Sequence, residues 1–333
     1  MAHIAIIGST TWGTTLAIIN SEEGKHVSLI VRTKEESDLL QKHRENKRFL
    51  PGITFPDTLE VTSKPQDLIP KTDLLIIAVP SQSLRKNIGA ISSYVSASTI
   101  IVSASKGLES TSGMRMTEII KEEIPNLSPD NICVLSGPNL SNEILAGKPS
   151  SSVICSINLT TAKSAQSILN CSHLRLYTNT DVIGVEICGA LKNITAIAAG
   201  ICDGLNLGDN AKASIITRGL SEMARFGSAI GAEPSTFSGL AGMGDLIATC
   251  SSRLSRNNQV GRMLAKDMPL NQIEKSMDNV AEGIETTKAV VSVANRLNID
   301  LPIAQAVYNI LFKNLSVRDA REELMGRTLT SET

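Results

Sequence analysis

A doubly wound, mostly parallel α/β sheet followed by an all-helical domain is the fold that this 333-residue sequence predicts. Three observations carry that reading. The chain opens with an apolar strand, a glycine turn and a helix start in direct succession. From there to about residue 180, short β-branched runs alternate with helical stretches. After about Gly184 the strand pattern stops and helical spacing takes over.

The opening element is Ile4-Ala5-Ile6-Ile7, then Gly8-Ser9-Thr10-Thr11-Trp12-Gly13, then Thr14-Thr15-Leu16-Ala17-Ile18-Ile19. In that order they form the phosphate-binding corner of a Rossmann-type fold, where helix N-terminal amides and the helix dipole face a pyrophosphate. Gly8, Thr10, Thr11, Trp12 and Gly13 are therefore candidate cofactor contacts. The spacing fits G-x-G-x-x-G with one fault, Thr10 at the second glycine. A stiff β-branched side chain there predicts one of two things. Either the turn shifts outward, or the hydroxyl donates to a phosphate oxygen. Taken alone, so degenerate a match also fits a purely structural turn.

Strands are expected at His3–Ile7, Val27–Val31, Leu59–Thr62, Leu74–Val79, Thr99–Val102, Ile132–Leu135, Ser152–Cys155 and Leu174–Tyr177. Several are almost wholly apolar, as in a parallel sheet covered on both faces. Pro80-Ser81, Ser105-Lys106-Gly107 and Ser136-Gly137-Pro138 fall at strand ends, where an open α/β sheet binds ligands. After Val27–Val31 stands Arg32, where an NAD-selective site usually carries Asp or Glu. A guanidinium there suits adenine stacking and a 2′-phosphate, so the sequence leans to NADP or dual use.

Helices are expected at Val185–Gly204, Lys212–Ile230, Pro234–Ser238, Asn257–Lys266, Leu270–Met277, Ala281–Leu297, Ile303–Phe312 and Ser316–Met325. Pro302 ahead of one, and Ser316 three residues before Asp319 in another, read as helix starts. The domains divide as 1–183 and 184–333, with the site in the cleft between them. The tail after Arg327 reads as disordered.

Composition narrows the function classes. With 32 Lys+Arg, 33 Asp+Glu and a net charge of −1, nothing suggests a nucleic-acid partner. The basic cluster Lys42, His43, Arg44, Lys47 and Arg48 reads as a solvated helix end or loop. Cysteines 133, 155, 171, 188, 202 and 250 form no C-x-x-C pair, as in a reducing compartment. The four histidines lack ligand spacing, so no metal is expected. With no signal peptide and no uninterrupted apolar run of spanning length, a cytoplasmic chain without membrane insertion is expected. Oligomeric state is not legible; a homodimer is carried as the candidate assembly.

Lys192 is the only charged residue between Ile187 and Cys202, on a helix apolar nearly all round. Desolvation there favours proton exchange, which a hydride transfer between alcohol and nicotinamide requires. The same pattern fits a lysine snorkelling to water. Gly239-Leu240-Ala241-Gly242-Met243-Gly244 leads into Asp245, with Thr249 one turn on. Asp245 suits holding Lys192 and substrate, or a plain N-cap. Ser255-Arg256-Asn257 suits a phosphate or carboxylate, or an ordinary cap with a surface arginine.

Taken together, these residues resemble the bacterial NAD(P)-dependent glycerol-3-phosphate dehydrogenases. The carriers are Gly8–Gly13 with Trp12, Phe49-Leu50-Pro51-Gly52, Ser105-Lys106-Gly107-Leu108-Glu109, Ser136-Gly137-Pro138 and Gly184-Val185-Glu186. Ala190-Leu191-Lys192-Asn193, Ala241–Leu246, Ser255-Arg256-Asn257 and Glu282-Gly283 complete them, in order and nearly end to end. The resemblance implies reversible reduction of dihydroxyacetone phosphate to sn-glycerol 3-phosphate, the glycerophospholipid backbone, with Lys192 as proton donor and acceptor. It also implies that Lys106, Gly137, Asn139, Asp245, Ser255, Arg256 and Asn257 line the substrate. Thr11, Trp12, Arg32, Lys106, Ser141, Arg256, Val280 and Glu282 would contact NAD(P). The chain departs from the family at Thr10 for glycine, Thr11 for serine, Asn139 for serine or threonine, and Ser141 for alanine. Two other readings stand beside this one: a hydroxyacid or ketopantoate-type dehydrogenase, and a non-catalytic dinucleotide sensor motivated by Thr10.

Overall fold

The computed structural model describes residues 2–277, 281–329 and 331. The strands are β1 (His3–Ile7), β2 (His26–Ile30), β3 (Glu60–Thr62), β4 (Leu74–Ile77), β5 (Ile100–Ser103), β6 (Ile132–Ser136), β7 (Ser150–Cys155) and β8 (Leu174–Asn179). Between them lie α1 (Thr11–Glu22), α2 (Lys34–His43), α3 (Pro65–Leu68), α4 (Leu84–Gly89), α5 (Met116–Glu123), α6 (Ser141–Leu145) and α7 (Leu159–Leu169). The strands form one sheet in the order β3-β2-β1-β4-β5-β6-β7-β8. Its order reverses between β1 and β4, a topological switch point.

Side chains alternate across the sheet. Ile4 and Ile6 of β1 join Leu16, Leu29 and Ile76 on one face. Ala5 and Ile7 join Leu75, Ile88 and Ile119 on the other. Both faces are apolar because helices cover both, and each buried aliphatic side chain contributes about 1.5–3 kcal/mol relative to exposure. All neighbouring pairs from β3 to β6 run parallel. β7 is antiparallel to β6, and β8 follows β7 in parallel. Both of these last strands are longer than the sequence suggests. Six-residue pairing between them recruits the polar Ser150, Ser151, Thr178 and Asn179, where only the threonine favours a strand by composition.

The helical part comprises α8 (Val182–Gly204), α9 (Gly208–Ala229), α10 (Pro234–Phe237), α11 (Asp245–Ser251), α12 (Arg256–Leu264), α13 (Leu270–Ser276), α14 (Glu282–Leu297), α15 (Pro302–Phe312) and α16 (Val317–Met325). α8 starts earlier than expected because Asp181 caps it, accepting from the Gly184 amide at 2.9 Å. It is long and apolar enough to cross a membrane, yet 94% of its apolar window is buried inside the protein. It is the core helix around which the others pack. Where α12 crosses it, the backbones touch. A Cβ on Gly261 would lie 2.0 Å from the Ile197 carbonyl oxygen, and one on Gly200 2.1 Å from that of Asn258.

Two expectations need revision or fall outside view. In the basic cluster, Arg44 is not simply solvated: its guanidinium donates to the carbonyls of Leu59, at 2.9 Å, and Pro56. Of the expected disordered tail, Thr330, Glu332 and Thr333 lie outside the described residues.

Pro302 starts α15 without an N–H, so the first free amides are those of Ile303 and Ala304. Both donate to the buried Glu222 carboxylate of α9, at 2.7 and 3.2 Å. Burial pushes the Glu222 carboxyl from its ordinary 4.5 up to about 7, against the pull of those two amides. A carboxyl raised on folding binds its proton more tightly in the native state, so its stabilising contribution is full below the unfolded value. Stability from this site should therefore fall as pH rises from about 4.5 through about 7. Glu222→Gln should flatten that slope in urea denaturation across the same range; an unchanged slope would assign it elsewhere.

Candidate active site

The loops after β5 and β6 meet α8 and α11 in one cluster. Lys106 follows β5 in a loop pinned by Ser105, whose hydroxyl donates to the Val79 carbonyl at 2.5 Å. Gly107 (φ +151°) admits no side chain, since a Cβ would lie 2.6 Å from Ser81 Oγ. Lys106 Nζ donates to the Gly137 carbonyl at 3.0 Å, to Asn139 Oδ1 at 3.1 Å and to Asp245 Oδ2 at 2.8 Å. The other oxygen of Asp245 lies 3.0 Å from Lys192 Nζ. Lys192 also donates to Thr249 Oγ1 at 2.6 Å, and that hydroxyl donates to the Asp245 carbonyl at 2.6 Å.

Lys192 is 6% exposed and Asp245 3% exposed, which rules out the snorkelling alternative. The plain N-cap alternative for Asp245 fails too, because it is the first helical residue of α11 and its carboxylate bridges two lysines. Burial pushes the Lys106 ammonium down to about 8; Asp245 beside it opposes the shift and Lys192 adds to it. One carboxylate shared by two lysines leaves a net positive pocket, suited to an anion.

The Ser255-Arg256-Asn257 segment reaches this cluster through the back of α8. Ser255 caps α12, accepting from the Asn258 amide at 3.3 Å. Asn257 donates to Asn193 Oδ1 at 2.9 Å and accepts from the Gly283 amide at 3.0 Å, which seats the start of α14. Arg256 is exposed and electrostatically coupled to Glu282. Glu282 accepts from both the amide, at 3.2 Å, and the hydroxyl of Ser81. Burial raises its carboxyl, while Ser81 and Arg256 pull it down.

Sequence reasoning assigned no role to Ser81 or Glu186, although both lie in segments it singled out. Glu186 is buried on α8. It accepts from Arg115 at 2.6 Å, from the Thr117 amide at 2.9 Å and from the Thr117 hydroxyl at 2.6 Å. It thereby ties α8 to α5. No sequence pattern pairs residues 69 apart.

At the β1–α1 corner, Gly8 (φ +112°) and Gly13 pack against each other. A Cβ on Gly13 would lie 2.0 Å from the Gly8 carbonyl oxygen, and one on Gly8 2.6 Å from that of Ala78. Thr10 does not aim its hydroxyl at a phosphate, the second of the two expectations. Its hydroxyl donates to the Ala78 carbonyl at 2.8 Å and accepts from the Gly13 amide at 3.1 Å. It is the N-cap of α1, turned inward, so the donor expected for a phosphate is spent on the end of β4. The amides of Thr11 and Trp12, the first two helical residues, have no intrahelical acceptor. Trp12 Nε1 is buried without a partner among the described residues. Such a corner fits a dinucleotide pyrophosphate.

Three candidates remain. Ser141 opens α6, which packs against α1, and so lies on the dinucleotide side. Arg32 is exposed beyond β2. Val280 lies outside the described residues.

Comparison with known proteins agrees with this geometry. A family model described as the NAD-dependent glycerol-3-phosphate dehydrogenase N-terminus matches residues 3–162, and its C-terminal counterpart matches residues 181–322. A glycerol-3-phosphate dehydrogenase (NAD(P)+) of Dehalococcoides mccartyi is 46% identical over 336 aligned positions, covering 100% of this chain and 93% of that protein. One from Chlorobium luteolum is 44% identical, with 98% of each covered. The crystal structure of glycerol-3-phosphate dehydrogenase from Coxiella burnetii superposes with a TM-score of 0.93 at 35% identity, over 98% of this chain and 99% of that one.

Proposed function

The chain belongs to the NAD-dependent glycerol-3-phosphate dehydrogenase family, and from that premise we propose how its residues carry out the reaction. It is an NAD(P)-dependent oxidoreductase that interconverts dihydroxyacetone phosphate and sn-glycerol 3-phosphate, a step that feeds glycerophospholipid synthesis. The observation that carries the assignment of roles is the buried Lys192–Asp245–Lys106 chain.

When bound, the nicotinamide dinucleotide supplies or accepts the hydride at C2 of the substrate. Lys192 Nζ gives a proton to the C2 oxygen in reduction and takes it back in oxidation. Thr249 and Asp245 hold that nitrogen in place from two sides, which fixes its approach to the oxygen. Lys106 lies one carboxylate away, with Gly137 and Asn139 orienting it toward the substrate. Its charge and that of Arg256 suit a phosphate dianion. Ser255 and Asn257 hold Arg256 at the start of α12. On the dinucleotide side we assign Gly8, Thr11, Trp12 and Gly13 to the pyrophosphate corner. Arg32, Ser141, Arg256 and Glu282 form the wall, and Thr10 shapes the turn from within.

We keep residues 1–183 and 184–333 as the dinucleotide and substrate halves, a division supported by the end of β8 at Asn179 and the opening of α8 at Val182. We also assign the reaction to the cytoplasm, since all six cysteines are free and buried, as suits a reducing compartment. The sensor reading has no use for a buried lysine held by two acceptors. The hydroxyacid reading leaves Lys106 without a task.

Turnover tests the assignment directly. Reduced cofactor should be oxidised with dihydroxyacetone phosphate and hardly at all with dihydroxyacetone or a panel of keto acids. Comparable kcat/KM with the unphosphorylated ketone would remove the phosphate site.

Lys192→Ala should lower kcat by about 10²–10⁴ while cofactor binding survives. Retention of most activity would show that another group moves the proton.

Because Lys106 loses its proton near pH 8, kcat/KM for the phosphorylated ketone should fall as pH rises through that value. Lys106→Arg, which stays charged, should move the falling limb to higher pH. A limb that does not move would belong to a different group.

A further inference from the structure

The end of β2 carries an arrangement that the family resemblance does not cover. In a dinucleotide fold the adenosine ribose lies between the glycine turn and the exit of β2, and an acidic residue there binds its 2′-hydroxyl. Arg32 holds the usual position in this chain, which favours a 2′-phosphate. Yet a carboxylate occupies the same gap from another direction. Glu36, in the first turn of α2, accepts from the Arg32 backbone amide at 3.3 Å through one oxygen. Through the other it accepts from the hydroxyl of Ser9, the second residue of the glycine turn.

Helix capping alone does not account for this geometry. Thr33 caps α2 by accepting from the Glu36 amide at 3.2 Å, and a reciprocal Glu at this position would return to the Thr33 amide. Glu36 instead passes Thr33 and spans to a turn 27 residues away. Ser9 is itself fixed, since its carbonyl accepts from the buried Asn46 side chain at 2.9 Å. Lys34, two residues before Glu36, is already paired with Asp38 at 2.8 Å. The β2 exit therefore carries Arg32 and, held between two partners, the Glu36 carboxylate.

Resting on the dinucleotide reading of this corner, we infer that Glu36 sets the choice between the two cofactors. Its carboxylate has lone pairs left to accept from the 2′-hydroxyl of NADH and repels the 2′-phosphate of NADPH. Arg32 acts in the opposite sense, so the pair produces dual use with Glu36 restraining NADPH.

The test is direct binding, read from the fluorescence of Trp12, the only tryptophan in the chain, as NADH and NADPH are titrated separately. Glu36→Gln keeps the shape and removes the charge. It should improve NADPH binding relative to NADH by about fivefold or more. Ser9→Ala keeps the charge and frees its anchor, so the ratio of the two Kd values should move less. An unchanged ratio in Glu36→Gln, or an equal loss for both dinucleotides, would reduce Glu36 to a helix-capping residue. A Ser9→Ala shift as large as that of Glu36→Gln would also overturn the inference. If the unaltered protein binds neither dinucleotide, the reading of the corner falls and the inference with it.

Discussion

The arrangement depends on one shared carboxylate. Asp245 stands between two ammonium groups from opposite sides of the cleft, Lys106 after the sheet strand β5 and Lys192 within the helical core. Removed from water, either lysine alone would carry a large desolvation cost, and the carboxylate offsets it for both. The same contact fixes the spacing between the sheet part of the chain and its helical core. Glu186 and Glu282 repeat the device elsewhere along the cleft, each a carboxylate of the helical part accepting amide and hydroxyl donors from the sheet part. These directed polar contacts add to the apolar core that Leu108, Val134, Val153 and Cys155 share with α8, so the geometry of the site is specified where the halves meet.

Behind those contacts lies tight backbone packing. Gly200 and Gly261 let α8 and α12 meet without intervening side chains. Gly283 does the same for α14, since a Cβ there would meet Asn257 Oδ1 at 2.7 Å. Close crossing of the helices brings Asn193, Asn257 and the Gly283 amide within hydrogen-bond reach of one another. Protein interiors transmit such constraints because they are close-packed. The start of α12, where Arg256 lies, thus takes its position from glycines on three different helices.

What the sequence makes legible is whatever depends on local periodicity. The apolar runs locate all eight strands because both sheet faces are covered, and Ser255 and Ser316 mark helix starts by their own caps. Lys192 is conspicuous because nothing else between Ile187 and Cys202 is charged. The illegible features have partners distant in the chain. The inward turn of Thr10 depends on the Ala78 carbonyl, 68 residues on. The bridge from Lys106 to Asp245 spans 139 residues. β7 and β8 extend through serines, threonine and asparagine only because each supplies the other with a ladder. Arg44 looked like solvated charge because its acceptors, two loop carbonyls, have no side-chain signature.

The reversal at β7 has a geometric consequence for Lys192. The first six strands all end at the ligand edge, whereas β7 and β8 run the other way, so β8 delivers the chain to the far edge. α8 must then climb back past the end of β6, where Gly189 lies against Ser136 and Lys106. At about 1.5 Å per residue, the ten steps from Val182 to Lys192 raise the ammonium by roughly 15 Å. Its height above the sheet is therefore a residue count, and its azimuth advances by about 100° for each residue inserted. The first three turns of α8 therefore behave as a ruler that sets where Lys192 meets Asp245 and Thr249.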